Sequence, residues 1–133
     1  DIRNPHSTRP YQHVLEPLSV YLTIAARQTA DASLVGAWNV GPDDADCVTT
    51  GALADLFCRA WGDGARWQTH ADGGPHEAHF LRLDCAKIKS ALDWRPRWHI
   101  AEAVEKTVEW AKAWEAGADM RAVTEQQIDA FFA

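Results

Sequence analysis

Basic residues are the minority charge in this chain: thirteen lysines and arginines face nineteen acidic residues, a net charge of -6. That balance excludes a general nucleic-acid-binding face, which needs clustered positive charge. It leaves room for one local anion site. No apolar run approaches the roughly 20 residues of a membrane-spanning helix, and nothing in the first residues reads as a secretion signal. The three cysteines, 47, 58 and 85, are odd in number and far apart. They form no disulfide framework and read as reduced thiols of a cytoplasmic protein. The chain opens on Asp1 rather than a methionine, as a processed or excised piece of a protein would, and as removal of a leading tag would also leave it.

Catalytic signatures are also missing. The eight glycines, at 36, 41, 51, 62, 64, 73, 74 and 117, contain no G-x-G-x-x-G spacing and no Walker loop. The two tyrosines, 11 and 21, are followed four positions later by Leu15 and Ala25, so a Tyr-x-x-x-Lys pair is absent. Ser19, Ser33 and Ser90 sit in no nucleophile elbow. His70, Asp72, His76 and His79 cluster in sequence, but their spacing fits no structural zinc pattern. They read as polar loop residues. Cys85 follows the cap candidate Asp84 and reads as inert packing.

What is present suits one domain with a core: 47% of residues are apolar, seven of them tryptophan. Residues 1–13 are expected to be extended and turn-rich, because Pro5 and Pro10 restrict their predecessors. A helix is predicted from Pro17 to Thr29, with Glu16 as a weak cap and Leu18, Tyr21, Leu22 and Ala25 as its stripe. Ala37 to Val40 reads as a short strand ended by Gly41 and Pro42. A second helix is capped by Thr49 or Thr50 and stopped at Gly62, burying Leu53, Leu56, Phe57 and Ala60.

Further on, Arg66 to Thr69 alternates like a strand, and a glycine loop at residues 71–79 leads to another extended run, "FLRLD". Asp84 can cap a short helix, "CAKIKSAL". The longest periodic segment is Ile100 to Trp114, with Val104, Val108 and Ala111 on one face and Gly117 beyond it. A last helix is predicted over Ala122 to Phe132. The Ala37–Val40 strand has no obvious partner, which hints that its sheet lies outside this chain.

The stretch "IRNPHSTRPYQHVLEP" combines Arg3 and Arg9 with prolines that stiffen the backbone between them. A phosphate asks for such a fork of donors on a rigid frame. The residue chemistry also allows surface arginines paired with acidic neighbours, and it leaves Glu77 as a solvated loop carboxylate.

Four blocks then stand in order: the front stretch, "WNVGP", "PHEAHFLRLDCAKIKSALDWRPRW" and "AVEKTVEW". Together, over most of residues 2–114, they resemble the C-terminal third of the CDP-glucose 4,6-dehydratases. These are extended short-chain dehydrogenase/reductases acting on nucleotide sugars. The first block is the most specific; the third has the looser D-x-x-K...L-x-W-x-P form shared by nucleotide-sugar enzymes. Tyr11 stands where the family carries tryptophan.

The resemblance implies a mainly helical α/β fold with few short strands, the substrate-binding lobe of such an enzyme. Residues 1–48 would trail from the Rossmann lobe and 49–133 would form the small lobe. It implies a lyase reaction, CDP-glucose to CDP-4-keto-6-deoxyglucose plus water, on the way to deoxysugars. NAD would take hydride from C4 and return it to C6 after water leaves from C5 and C6.

The same resemblance places the substrate diphosphate on Arg9, with Glu77 near the nucleotide end, and has Arg3, Asn4 and His13 shaping that loop. Asp72, Gly73 and Gly74 stand where many relatives carry an arginine, a departure from the family's pattern at the place of a second phosphate clamp. NAD and the tyrosine–lysine pair would belong to a missing N-terminal Rossmann lobe. This chain alone is expected to be inactive and without cofactor. Its Pro17–Thr29 helix is expected to contribute to a bare docking surface, a route to self-association. Two alternatives stay open: a segment of another nucleotide-sugar epimerase or dehydratase, and a non-catalytic structural or adaptor domain.

Overall fold

The computed structural model describes residues 1–70 and 79–133. Glu77, Asp72 and His76 therefore lie outside the described residues. The architecture is mainly helical. The helices are α1 (Leu15–Gln28), α2 (Thr50–Trp61), α3 (Ala86–Leu92), α4 (Ile100–Glu115) and α5 (Met120–Phe132). Two-residue strands β1 (Thr8–Arg9) and β2 (Val48–Thr49) pair antiparallel, Thr8 opposite Thr49 and Arg9 opposite Val48. Short 3-10 turns occupy Ala32–Leu34 and Asp44–Asp46.

Local chemistry explains most boundaries. Thr49 caps α2 by accepting from the Ala52 N–H at 3.1 Å, and Gly62, at φ +73°, ends it. Asp84 accepts from the Ala86 N–H at 2.9 Å at the start of α3. Gly117, at φ +70°, turns the chain out of α4. Asp119 accepts from the N–H groups of Arg121 and Ala122, so α5 starts at Met120, two residues before the predicted start.

The core has two parts. Val20 of α1, Leu34, Cys85, Ile88 and Leu92 are buried together, with Trp38, Leu83 and Trp94 packed against them. The other part is built on α4, whose Ala103, Val104 and Val108 are buried, and on Trp98 and Phe131. The Trp98 ring meets Phe131 edge-on at 5.0 Å and His13 edge-on at 4.8 Å. Helix α4 packs between α2 and α5. The three thiols are free, Cys85 is buried, and burial pushes both the Cys47 and Cys85 thiols up. Both are poor nucleophiles, as expected of packing cysteines.

Three expectations are corrected. First, α1 begins at Leu15, and Glu16 is no cap: it is wholly buried in the first turn. The stripe Leu18, Tyr21, Leu22 and Ala25 faces outward, and α1 buries Glu16 and Val20 instead. Periodicity identifies an apolar face but not what covers it. Second, Ala37 to Val40 forms no strand. Side chains satisfy its neighbourhood: Lys87 Nζ donates to the Ala37 carbonyl at 2.9 Å and Gln12 Nε2 to the Val40 carbonyl at 3.2 Å. Third, Arg66 to Thr69 and "FLRLD" are not strands; each contributes one isolated parallel bridge, Thr69 with Ile2 and Phe80 with Thr8.

Candidate functional site

The front segment is fixed by the backbone donors of α2. The first N–H groups of a helix have no partner within it. Here the Thr50 N–H donates to the Ser7 carbonyl at 3.0 Å and the Gly51 N–H to the Pro5 carbonyl at 2.9 Å. The Thr50 hydroxyl lies 3.1 Å from that of Ser7 and 2.8 Å from that of Tyr11. Gly51 makes the close crossing possible, because a Cβ there would sit 3.1 Å from the Pro5 carbonyl oxygen. On its other side the segment meets residues 79–81. The Thr8 N–H donates to the His79 carbonyl at 2.9 Å, and Thr8 accepts from the Leu81 N–H at 3.1 Å. Ile2 exchanges backbone bonds with Gln68 and His70.

This anchoring positions each candidate residue. Arg9 sits half-buried on β1, and its Nη1 donates to the Thr8 carbonyl at 2.9 Å. Arg3 is exposed on the same segment. The Asn4 carbonyl accepts from the Ser7 hydroxyl at 3.3 Å, closing the turn between Arg3 and β1. His13 is buried at the entry to α1. Its Nδ1 accepts from the Leu15 N–H at 3.3 Å, and its carbonyl accepts from the Glu16 N–H at 3.0 Å. Burial lowers the His13 pKa, so the ring stays neutral with its proton on Nε2. Arg3, Asn4, Arg9 and His13 thus share one pinned segment, while Glu77 falls outside the described residues.

Beside the segment lies an open groove of about 630 Å³, walled by Tyr11, His13, Phe57, Trp61, Trp67 and Val104. Phe57 and Trp61 stack at 5.5 Å, and the Trp67 Nε1–H donates to Asp55 at 2.8 Å. Sequence reasoning missed this groove. Its only local signal was the i, i+4 spacing of Phe57 and Trp61; Tyr11 and Trp67 join by tertiary contact. Among the described residues that line it, Arg66 is the one arginine or lysine, and Arg9 is not among them.

Among the described residues no cluster of histidine, cysteine or acidic side chains could hold a metal ion. Among them, too, no helix is long and apolar enough to cross a membrane.

No protein-family model matches the chain. The chain is similar to the CDP-glucose 4,6-dehydratase of Salmonella typhimurium strain LT2, with 45% identity over 128 residues. The match takes in 96% of this chain and 36% of that relative's length. Across nearly its whole extent, the chain matches the C-terminal part of a CDP-glucose 4,6-dehydratase.

Proposed function

We propose that this chain is the nucleotide-sugar-binding portion of a CDP-glucose 4,6-dehydratase of the extended short-chain dehydrogenase/reductase type. The observation that carries this reading is the 45% identity running through 96% of the chain. The pinned front segment supports it, because a guanidinium aimed at a diphosphate needs a frame that does not yield when the ligand arrives. Arg9 is the diphosphate ligand, while Arg3, Asn4 and His13 hold the loop around it. Glu77 completes the nucleotide end. On this reading residues 1–48 continue from a Rossmann lobe and 49–133 form the small lobe.

The residues of this chain do not fit NAD. They include neither a G-x-G-x-x-G loop nor a Tyr-x-x-x-Lys pair. The cofactor and the catalytic tyrosine and lysine belong, on this reading, to the N-terminal part of the complete enzyme, and no chemical step is assigned to these 133 residues. Their task is to bind and orient CDP-glucose. The outward apolar face of α1 agrees with a missing neighbour: Tyr21 is 59% and Leu22 70% exposed. Exposed apolar side chains grouped on one face mark an interaction surface.

The test is an assay for the 4-keto-6-deoxy product. The chain alone, given CDP-glucose and NAD, forms none. The chain joined to the N-terminal part of the Salmonella relative turns substrate over. Product from the chain alone overturns the division of labour, and a folded, inert fusion overturns the substrate assignment.

A further inference from the structure

Four consecutive residues, Arg97 to His99 ahead of α4 and its first residue Ile100, bind three other parts of the molecule. The N–H groups of Arg97 and Trp98 both donate to Glu16 Oε1 of α1, each at 2.8 Å. His99 Nδ1 lies 2.7 Å from Asp46 Oδ2, and the Ile100 N–H donates to Asp46 Oδ1 at 3.0 Å. Both carboxylates are buried, and they come from different elements. The Arg97 guanidinium donates to the Phe131 carbonyl at 3.1 Å, near the end of α5.

The cap of α4 is therefore tertiary. His99 stands at the N-cap position but makes no side-chain cap bond within the helix. Asp46, 54 residues away, accepts the first N–H instead and holds the His99 ring with its other oxygen.

We propose that residues 97–100 form a proton-tightened clasp: protonated His99 locks α4 onto the turn that carries Asp46, in a joint shared through Glu16 with the start of α1. A charge-assisted bond to a buried carboxylate is stronger than a neutral one. Protonation of His99 therefore draws the two elements together, and its loss leaves Asp46 with the weaker neutral partner.

The surroundings set the direction. His99 is met by Asp46 of the 3-10 turn and by Asp43 just before it, by Glu102 on α4 and by Glu16 on α1. Arg97 lies near Glu16, and His13 packs on Trp98 from the other side. The Asp46 hydrogen bond, then its charge, raises the His99 pKa above 6.5. The contribution of His99 is complete below 6.5 and is lost as pH rises through the folded value. Glu16, raised from 4.5 by burial, works in the same direction: its contribution is present in acid and is lost as pH rises through its folded value. His13, lowered by burial, opposes them. Total stability against pH therefore mixes signs, and a difference between variants isolates the clasp.

The test uses the 133-residue chain and its His99→Asn variant, which keeps a donor toward Asp46 but cannot titrate. The His99 ring-proton resonance is followed through pH in the folded chain and in concentrated urea. Its folded midpoint lies higher. In urea unfolding, the wild type's stability relative to His99→Asn shrinks from about pH 5.5 to about pH 8. A folded midpoint at or below the unfolded one, or an unchanged difference between the two proteins, overturns the clasp. If His99→Asn does not fold, the wild-type resonance decides alone.

Discussion

Tyr11 and Thr50, 39 residues apart in the chain, hold their side-chain oxygens 2.8 Å apart where the front segment crosses the first turn of α2. The same Thr50 oxygen lies 3.1 Å from the Ser7 hydroxyl. One small side chain thus gathers both ends of the segment that carries Arg9. Tyr11→Phe should cost about 0.5–1.5 kcal/mol, the net worth of a neutral hydrogen bond. Thr50→Val should cost more, because it strips partners from both Ser7 and Tyr11. Urea unfolding of the three proteins checks the order; equal stability of Thr50→Val and wild type contradicts it.

Gly51→Ala sets helix propensity against geometry. In an open helix the change gains about 1 kcal/mol. Here the new methyl would meet the Pro5 carbonyl oxygen at 3.1 Å and Pro5 Cβ at 3.3 Å, and a backbone oxygen yields poorly. The expected outcome is a destabilised protein with faster amide exchange at the Thr50 and Gly51 N–H groups. A melting temperature above wild type would show the crossing to be loose.

His13 gives the front segment an acid-sensitive element. Burial lowers its pKa, so its stabilising share is present above 6.5 and is lost as pH falls through the folded value. Protonating Nδ1 also removes the acceptor of the Leu15 N–H. His13→Asn, which keeps an acceptor oxygen near that position, should lose less stability than wild type on going from neutral pH to pH about 5. Parallel pH profiles for the two proteins would exclude His13 as the cause.

Helix α4 was legible because its signals were local: Val104 and Val108 repeat at helical spacing and are buried, and Gly117 takes the positive φ that stops the chain. The Thr49 cap was legible for the same reason. Glu16 was not. It looked like a cap for its own helix, yet its partners are Arg97 and Trp98, 81 and 82 residues on. Nothing near Glu16 signals them. Strand β1 was hidden too, because its two residues, set between prolines, pair with segments some forty and some seventy positions away. The Ala37–Val40 pattern misled in the other direction, since a short run ended by Gly41 and Pro42 becomes a strand only when a partner strand is at hand. At the site, the rigidity of residues 1–13 was readable from their prolines. Its cause, the orphan N–H groups of α2, was not.

The most direct test concerns Arg9. CDP-glucose and CDP are titrated calorimetrically into the complete enzyme, made by joining this chain to an N-terminal dehydratase part, as wild type, Arg9→Ala and Arg9→Lys. A charge-assisted bond contributes about 1.5–3 kcal/mol, so Arg9→Ala should weaken both ligands by roughly ten- to a hundredfold. Arg9→Lys should recover only part of this, because a point charge lacks the guanidinium fork. NAD affinity should stay unchanged throughout. Equal CDP affinity in all three proteins would contradict the assignment and leave Arg9 a structural arginine of β1.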